Sequence, residues 1–268
     1  MHFYTEDGES RHFVPMVKDP KRTRPTRVAD AIKAAKQGRV WFPSVSTALD
    51  VLDKPALKQW LVDQHLWATF NMPFDDPAFL GSFEEYKREI KRRAELEMAK
   101  APDAGTDIHD QLERWAGGDT DVERPDICEA VEALILDKTG VRLSEFDCER
   151  RFVDRHHGYA GTIDLSHESG IKIDYKSKQL ASKFKPGKMA YPDHARQLAA
   201  YAEGDGGLLD GTLCANIFIC LETGELDWHP WGGDELERGL ATYLNALEIY
   251  HREIYNPLEY LMDPRGEV

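Results

Sequence analysis

The stretch GYAGTIDLSHESGIKIDYKSK, residues 158–178, holds the residue types best suited to chemistry in this chain. Asp174 and Lys176 lie two apart in an apolar, strand-like context. Side chains alternate across a strand, so both project from one face, about 7 Å apart along it. The same alternation groups Lys172 and Lys178 with them and sends Ile171, Ile173 and Tyr175 to the other face. Asp164 stands near the end of a preceding apolar segment, and Ser166, His167, Glu168, Ser169 and Gly170 between the two segments read as a polar turn. A hairpin is the simplest arrangement, and it brings a second carboxylate to the lysine. Two carboxylates hold a hard divalent cation, and a lysine beside them orients water or offsets developing negative charge. That set suits hydrolysis of a phosphodiester; taken alone, Asp174 and Lys176 also read as a same-face salt bridge on an exposed sheet.

The elements that must position these groups follow from periodicity. Residues 146–153, FDCERRFV, read as a strand feeding the hairpin; its Glu149 is either an acidic accessory to the site or a partner of a nearby arginine. Downstream, DHARQLAAYAEG forms a helix from an Asp193 cap to Gly204 with Gln197 and Tyr201 on one face. LCANIFICL, 213–221, is a continuous apolar run suited to a central buried strand, and a short strand follows near 226–231. Between the hairpin and the helix that starts at Asp193, residues 179–192 carry Lys183, Lys185 and Lys188 and read as a mobile loop. With Lys172, Lys176 and Lys178 they form a basic rim that focuses phosphates on the site. Upstream, TDIHDQLERWAGG is a helix after Pro102 and Gly105, with His109 and Glu113 four apart on one face. It follows a separate charged helix, 82–100, and precedes an amphipathic helix, 126–140. Residues 44–68 read as two short helices interrupted at Pro55, in which Trp60 and Trp67 are either core residues or stacking platforms for bases. Residues 1–27, with Lys18, Lys21, Arg22, Arg24 and Arg27 among prolines, read as a flexible basic arm, solvated or contacting DNA. A helix from Asp234 to Tyr260 closes the fold.

Composition narrows the function classes. The chain has 268 residues, 31% of them charged, and a formal net charge of −14, so any nucleic-acid contact must be local rather than spread over the surface. Cys128, Cys148, Cys214 and Cys220 show no CxxC pair and no ligand spacing, which supports free thiols in a reducing cytoplasm. No apolar run reaches membrane-spanning length and the N-terminus does not read as a signal peptide, so the expected location is the cytoplasm, the host's if the chain is phage-encoded.

These motifs together resemble the PD-(D/E)XK nuclease superfamily, in particular its RecB-type branch, which includes phage recombination exonucleases. GTDIH with His109 resembles the branch's upstream histidine motif. GTID carries Asp164, IDYK carries Asp174 and Lys176, and QLAAY carries Gln197 and Tyr201. Four motifs in the expected order span about residues 105–201. The resemblance implies an α/β (α+β) fold: a restriction-endonuclease-like αβββαβ core with a mixed central sheet, here preceded by an N-terminal helical extension. Residues 1–27 would be the arm, 28–104 the extension, and 105–268 the nuclease core with its C-terminal helix. It further implies a DNA exonuclease of recombination or repair using one or two Mg2+ or Mn2+ ions. Asp164, Asp174, the Tyr175 carbonyl and His109 would be ligands, with Glu113 and Glu149 as accessories. Lys176, Gln197 and Tyr201 would complete the catalytic set, and Lys178, Lys183, Lys185 and Lys188 would contact DNA. Some relatives carry an iron–sulfur cluster on a C-terminal cysteine triplet; nothing after Cys220 supplies one, so no cluster is expected. The implied partners are DNA, a second copy of the chain and a single-strand annealing protein, with no membrane. The alternatives are an endonuclease of the same superfamily and a non-catalytic DNA-binding subunit.

Overall fold

In chain order the elements are β1 (Phe3–Thr5), β2 (Phe13–Pro15), β3 (Thr23–Pro25), α1 (Val28–Ala35), β4 (Trp41–Pro43), α2 (Val45–Leu49), α3 (Pro55–Phe70), α4 (Phe83–Ala116), α5 (Pro125–Thr139), β5 (Asp147–Asp154), β6 (Tyr159–Ser166), β7 (Ile171–Lys178), α6 (Pro192–Gly204), β8 (Leu213–Cys220), β9 (Leu226–Pro230), α7 (Gly233–Glu253) and α8 (Pro257–Met262). The structure is a computed structural model describing residues 1–16, 19–73, 75–78, 81–208 and 211–262, and the side chains of 56–57, 97–106 and 262 also fall outside that description. Lys18 of the expected basic arm and the side chains of Leu57 and of Thr106 in GTDIH therefore lie outside the described residues.

The protein is α/β, built on a five-stranded mixed sheet in the order β5-β6-β7-β8-β9. All neighbours are antiparallel except β7 and β8, which run parallel from Ile171↔Leu213 to Lys178↔Cys220. A parallel neighbour needs a crossover, and α6 provides it. The strands β7 and β8 are buried along most of their length because helices cover both faces. On one side Ile108 and Leu112 of α4 and Ile127, Val131 and Ile135 of α5 pack on Ile171, Ile173, Tyr175, Ile217 and Ile219. On the other side Leu198 of α6 and Leu236, Tyr243 and Leu247 of α7 pack with Tyr159 and Ile163. The site is thus held between two helical layers.

Several elements differ from the sequence expectation. The two helices expected around Pro102 are one 34-residue helix, α4. Its start is strongly specified: Ser82 Oγ accepts the Glu85 N–H, and Glu85 accepts the Ser82 N–H at 2.8 Å. Glu84 and Glu85 in the first turn and Arg114 in the last suit the helix dipole. A proline removes one intrahelical N–H without ending a helix this well supported at both ends. The boundary expected at 104/105 therefore falls inside α4, which belongs to both the extension and the core.

The segment expected as a flexible arm is also ordered. β1 pairs with β4, Phe3 is fully buried, and Arg24 grips Asp30 of α1 through two 2.7 Å contacts. Buried aromatics paired to a strand forty residues away outweigh the local proline signals. The residue 44–68 region does contain two helices, but Trp60 and Trp67 are exposed rather than core. The closing helix stops at Glu253 and resumes as α8 at Pro257, which provides no N–H to continue it. Among the described residues no helix is long and apolar enough to cross a membrane. The four cysteines are free, three of them buried.

Candidate metal centre

The centre forms where β6 and β7 part company. The two strands pair at Ser166↔Lys172 and Leu165↔Ile173, next to the turn, and then separate. The next positions in that register are Asp164 and Asp174. Separation leaves the Tyr175 N–H without its ladder partner, and Asp164 Oδ2 accepts it at 2.7 Å. The carboxylate thus replaces a backbone carbonyl at the fork, which satisfies a buried donor and fixes its own orientation.

Strand alternation places Tyr175 on the α4 side and Asp174 and Lys176 on the α6 side. From α4 comes His109, whose Nδ1 lies 3.6 Å from Asp164 Oδ2 and whose ring packs edge-on against Tyr175 at 5.5 Å. From β5 comes Glu149, directly across from Asp164 in the register set by Cys148↔Leu165 and Arg150↔Ile163. His109, Glu149 and Asp164 offer ligand atoms that all lie within 4.8 Å of one another. Glu149 has φ +48°, the one positive φ on a non-glycine among the described residues. Holding a long side chain there costs about 1–3 kcal/mol and persists only where surrounding structure imposes it. Of the two readings open for Glu149, the acidic accessory is the one the geometry favours. Arg150 instead pairs with Asp205 and Asp147, and Arg151 acts on Glu149 electrostatically without an ion pair to it among the described residues. Glu113, a turn beyond His109, lies near enough to act electrostatically on Glu149.

The α6 side is a hydrogen-bonded chain. Lys176 Nζ sits 2.7 Å from Asp174 Oδ2 and donates to Gln197 Oε1 at 3.2 Å, while Gln197 Nε2 donates to the Tyr201 hydroxyl at 2.7 Å. Gln197 and Tyr201 therefore hold the lysine. Gly161 of GTID completes the packing: a Cβ there would stand 2.7 Å from the Phe152 ring and 3.0 Å from that of Tyr201, so only glycine lets the tyrosine lie against β6.

Two members of the site were missed in the sequence. Asn216, fully buried on β8 opposite Asp174, donates Nδ2 to Asp174 Oδ2 at 2.8 Å and accepts from Trp231 Nε1 at 2.8 Å. The signal was one polar residue in the run LCANIFICL. His194, one turn before Gln197 on α6, accepts the Tyr191 N–H at 3.2 Å. Its pKa falls to about 4 through burial and then Lys176. The spacing His194, Gln197, Tyr201 marked one helical stripe.

Electrostatics sort these groups by proton state. Burial and then Asp174 push the Asp164 carboxyl well above the usual range. Burial and then Glu113 raise Glu149, with Arg151 opposing them. His109 is lowered, chiefly by burial, and so is neutral and able to ligate. Burial pulls Lys176 down, but Asp174 and Asp164 together outweigh it and its pKa ends above the ordinary lysine value. Carboxyls that are hard to ionise although Lys176 and Arg151 act on them, beside a neutral imidazole, describe a cluster whose negative charge the neighbouring cations only partly offset.

The expected basic rim is smaller than the sequence suggested. Lys172 is buried, 2.6 Å from Asp205 and 2.7 Å from Ser166 Oγ, and serves the fold rather than a ligand. Lys178, at the end of β7, is half-buried; burial and then Lys176 lower its pKa. Lys183, Lys185 and Lys188 are exposed. The loop carrying them, expected to be mobile, is pinned: Phe184 and Met189 are buried with Phe218 and Cys220, and the Gly187 N–H bonds Asp227 at 2.8 Å. No family model and no curated protein sequence matches the chain.

Proposed function

We propose that this protein is a metal-dependent DNA exonuclease of the RecB-type PD-(D/E)XK kind, acting in recombination or repair of a phage or mobile element. One observation carries the reading: the Asp174–Lys176 pair stands beside an Asp164 that is locked into a strand fork and faced by His109 and Glu149. A salt bridge on an exposed sheet would not need a buried asparagine, a glutamine–tyrosine relay and a strained glutamate around it.

The residues present fit Mg2+ or Mn2+. Asp164, Glu149 and His109 are convergent oxygen and nitrogen donors, with Asp174 and the Tyr175 carbonyl on the adjoining strand positions. A bound divalent ion supplies a water that ionises near neutral pH and offsets charge on the phosphate. Lys176, kept protonated by Asp174 and Asp164, is an electrostatic stabiliser and donor rather than a base. Gln197, held by Tyr201, fixes its ammonium, and Asn216 fixes the carboxylate it pairs with. Tyr201, its pKa raised by burial and then Asp174, keeps its phenolic proton and plays no part in proton transfer. Lys183, Lys185 and Lys188 supply phosphate contacts whose strength falls with salt.

The test is digestion of linear and closed-circular DNA with Mg2+ or Mn2+, alongside an Asp174→Ala control. Loss of linear DNA from its ends, absent in the control, is the expected result. Cutting of the closed circle instead identifies an endonuclease, and binding with no turnover a DNA-binding subunit.

Two further outcomes follow from the donor set. Asn216→Leu, which removes the amide that orients Asp174, is expected to lower metal affinity or turnover about 10–100-fold. Manganese titration and initial rates check it, and wild-type values would remove Asn216 from the site. The second concerns pH. The folded chain holds protons on Asp164 and Glu149 at pH values where the unfolded chain has lost them. Metal-free stability therefore falls as pH rises from the ordinary carboxylate range through the raised folded values. A divalent ion displaces those protons, so its stabilising effect grows over the same window. The rise in melting temperature on adding Mn2+ should be larger at about pH 8 than at about pH 5. An equal or reversed effect would place the ion elsewhere.

A further inference from the structure

We propose that the outward face of α3 is a dimer interface: two copies of this chain pair their α3–α4 hairpins about a two-fold axis, with α3 antiparallel to its counterpart. Trp60, Asp63, Trp67 and Phe70 fall at i, i+3, i+7 and i+10, one stripe along the helix. The rings are 37%, 49% and 89% exposed for Trp60, Trp67 and Phe70, with Leu66 and Val62 exposed beside them. Another face of the helix is covered by α4, where Ala68, together with Met72 just past the helix end, is buried against Ile90 and Ala94.

The three aromatic side chains of the stripe alone leave roughly 400 Å2 in water at those fractions. The aliphatic neighbours carry the patch toward the ~800 Å2 that each partner contributes to a stable interface. That lies at the upper limit of what a monomer usually exposes. The stripe positions of α3 themselves carry no lysine or arginine of the kind that a nucleic-acid face interleaves with its rings. Lys58, the one lysine or arginine within α3, is held in an ion pair by Asp53, and the stripe's own charge is Asp63. An apolar protein surface therefore fits it better than DNA.

The stripe is complementary to itself. Read antiparallel about residue 65, Trp60 faces Phe70 of the other copy and Asp63 faces Trp67, so apolar meets apolar and acceptor meets donor. The Trp67 indole N–H has no partner among the described residues. Asp63 uses one carboxylate oxygen on Gln59 at 2.9 Å, which leaves the other for an indole. Such an isologous pairing closes with two copies and makes a four-helix bundle of the two hairpins.

Sedimentation velocity of the full chain, over a range of protein concentrations, is expected to show a dimer. Trp67→Glu combined with Phe70→Glu should give a monomer that still unfolds cooperatively, with a melting temperature that no longer rises with protein concentration, and Trp60→Ser with Trp67→Ser the same by a milder route. Phe13→Glu, at an exposed aromatic remote from the stripe, should leave the dimer intact. A wild-type chain that stays monomeric throughout, or a dimer that survives both double variants, overturns the proposal. So does a monomer whose tryptophan fluorescence is quenched by an oligonucleotide and not in the variants, which would give the face to DNA. None of these readouts depends on nuclease activity.

Discussion

Asp164→Asn is expected to fold and to lose metal-dependent hydrolysis by on the order of 10³-fold or more. The two halves of that outcome come from the two duties of one carboxylate. The amide oxygen of asparagine can still accept the Tyr175 N–H that Asp164 takes at 2.7 Å, so the fork where β6 and β7 separate survives. The charge that would hold a divalent ion does not. The asparagine also removes a carboxyl that burial and Asp174 already make hard to ionise. The metal-free melting temperature should therefore be unchanged or raised, while the Mn2+-induced rise disappears. Asp164→Ala lacks the acceptor and should melt lower than the asparagine variant. Hydrolysis within about tenfold of wild type in Asp164→Asn would show that this carboxylate holds no ion.

Lys176→Met separates the ammonium from the metal ligands. Its loss should lower kcat by roughly 10²–10³-fold, the scale of removing one preorganised group that stabilises transition-state charge, with Mn2+ affinity kept or increased. The stability effect has a sign of its own. Lys176 sits 2.7 Å from Asp174, a carboxylate only 4% exposed, and also stabilises the ionised form of Asp164. Removing one partner of a buried pair leaves an uncompensated charge, at a cost of a few kcal/mol. Because a divalent ion can replace the missing cation, Mn2+ should recover more stability in this variant than in wild type. Thermal melts with chelator and with Mn2+ measure both. A variant as active and as stable as wild type would return the pair to an incidental salt bridge.

The parts of this site that were legible in the sequence are those coded over short distances. The hairpin with Asp164, Asp174 and Lys176 follows from strand alternation around a polar turn, and Gln197 with Tyr201 from helical spacing. The remainder depends on pairings the local pattern does not encode. Glu149 meets Asp164 only through the β5–β6 register, and its left-handed backbone leaves no mark in composition. Lys172 looked like rim because its partner Asp205 lies 33 residues away. Asn216 did leave a mark, a lone amide in an apolar strand, and a strict reading of polar residues in buried runs would have found it. Trp60 and Trp67 show the converse: helical spacing is the same for a core stripe and an exposed one, so burial was undetermined until α3 was seen to rest on α4 alone among its larger contacts.

The unbroken run of α4 makes it a ruler between the α3–α4 turn and the candidate metal centre. His109 stands 26 residues after Phe83, about 39 Å along the axis at the α-helical rise. Inserting one residue between them would turn the hairpin by ~100° about that axis, whereas removing seven would draw it in by about 10 Å and restore nearly the same heading. Tolerance of length changes in this helix should therefore be periodic, and in the proposed dimer the residue count of α4 would set the spacing of the two candidate centres.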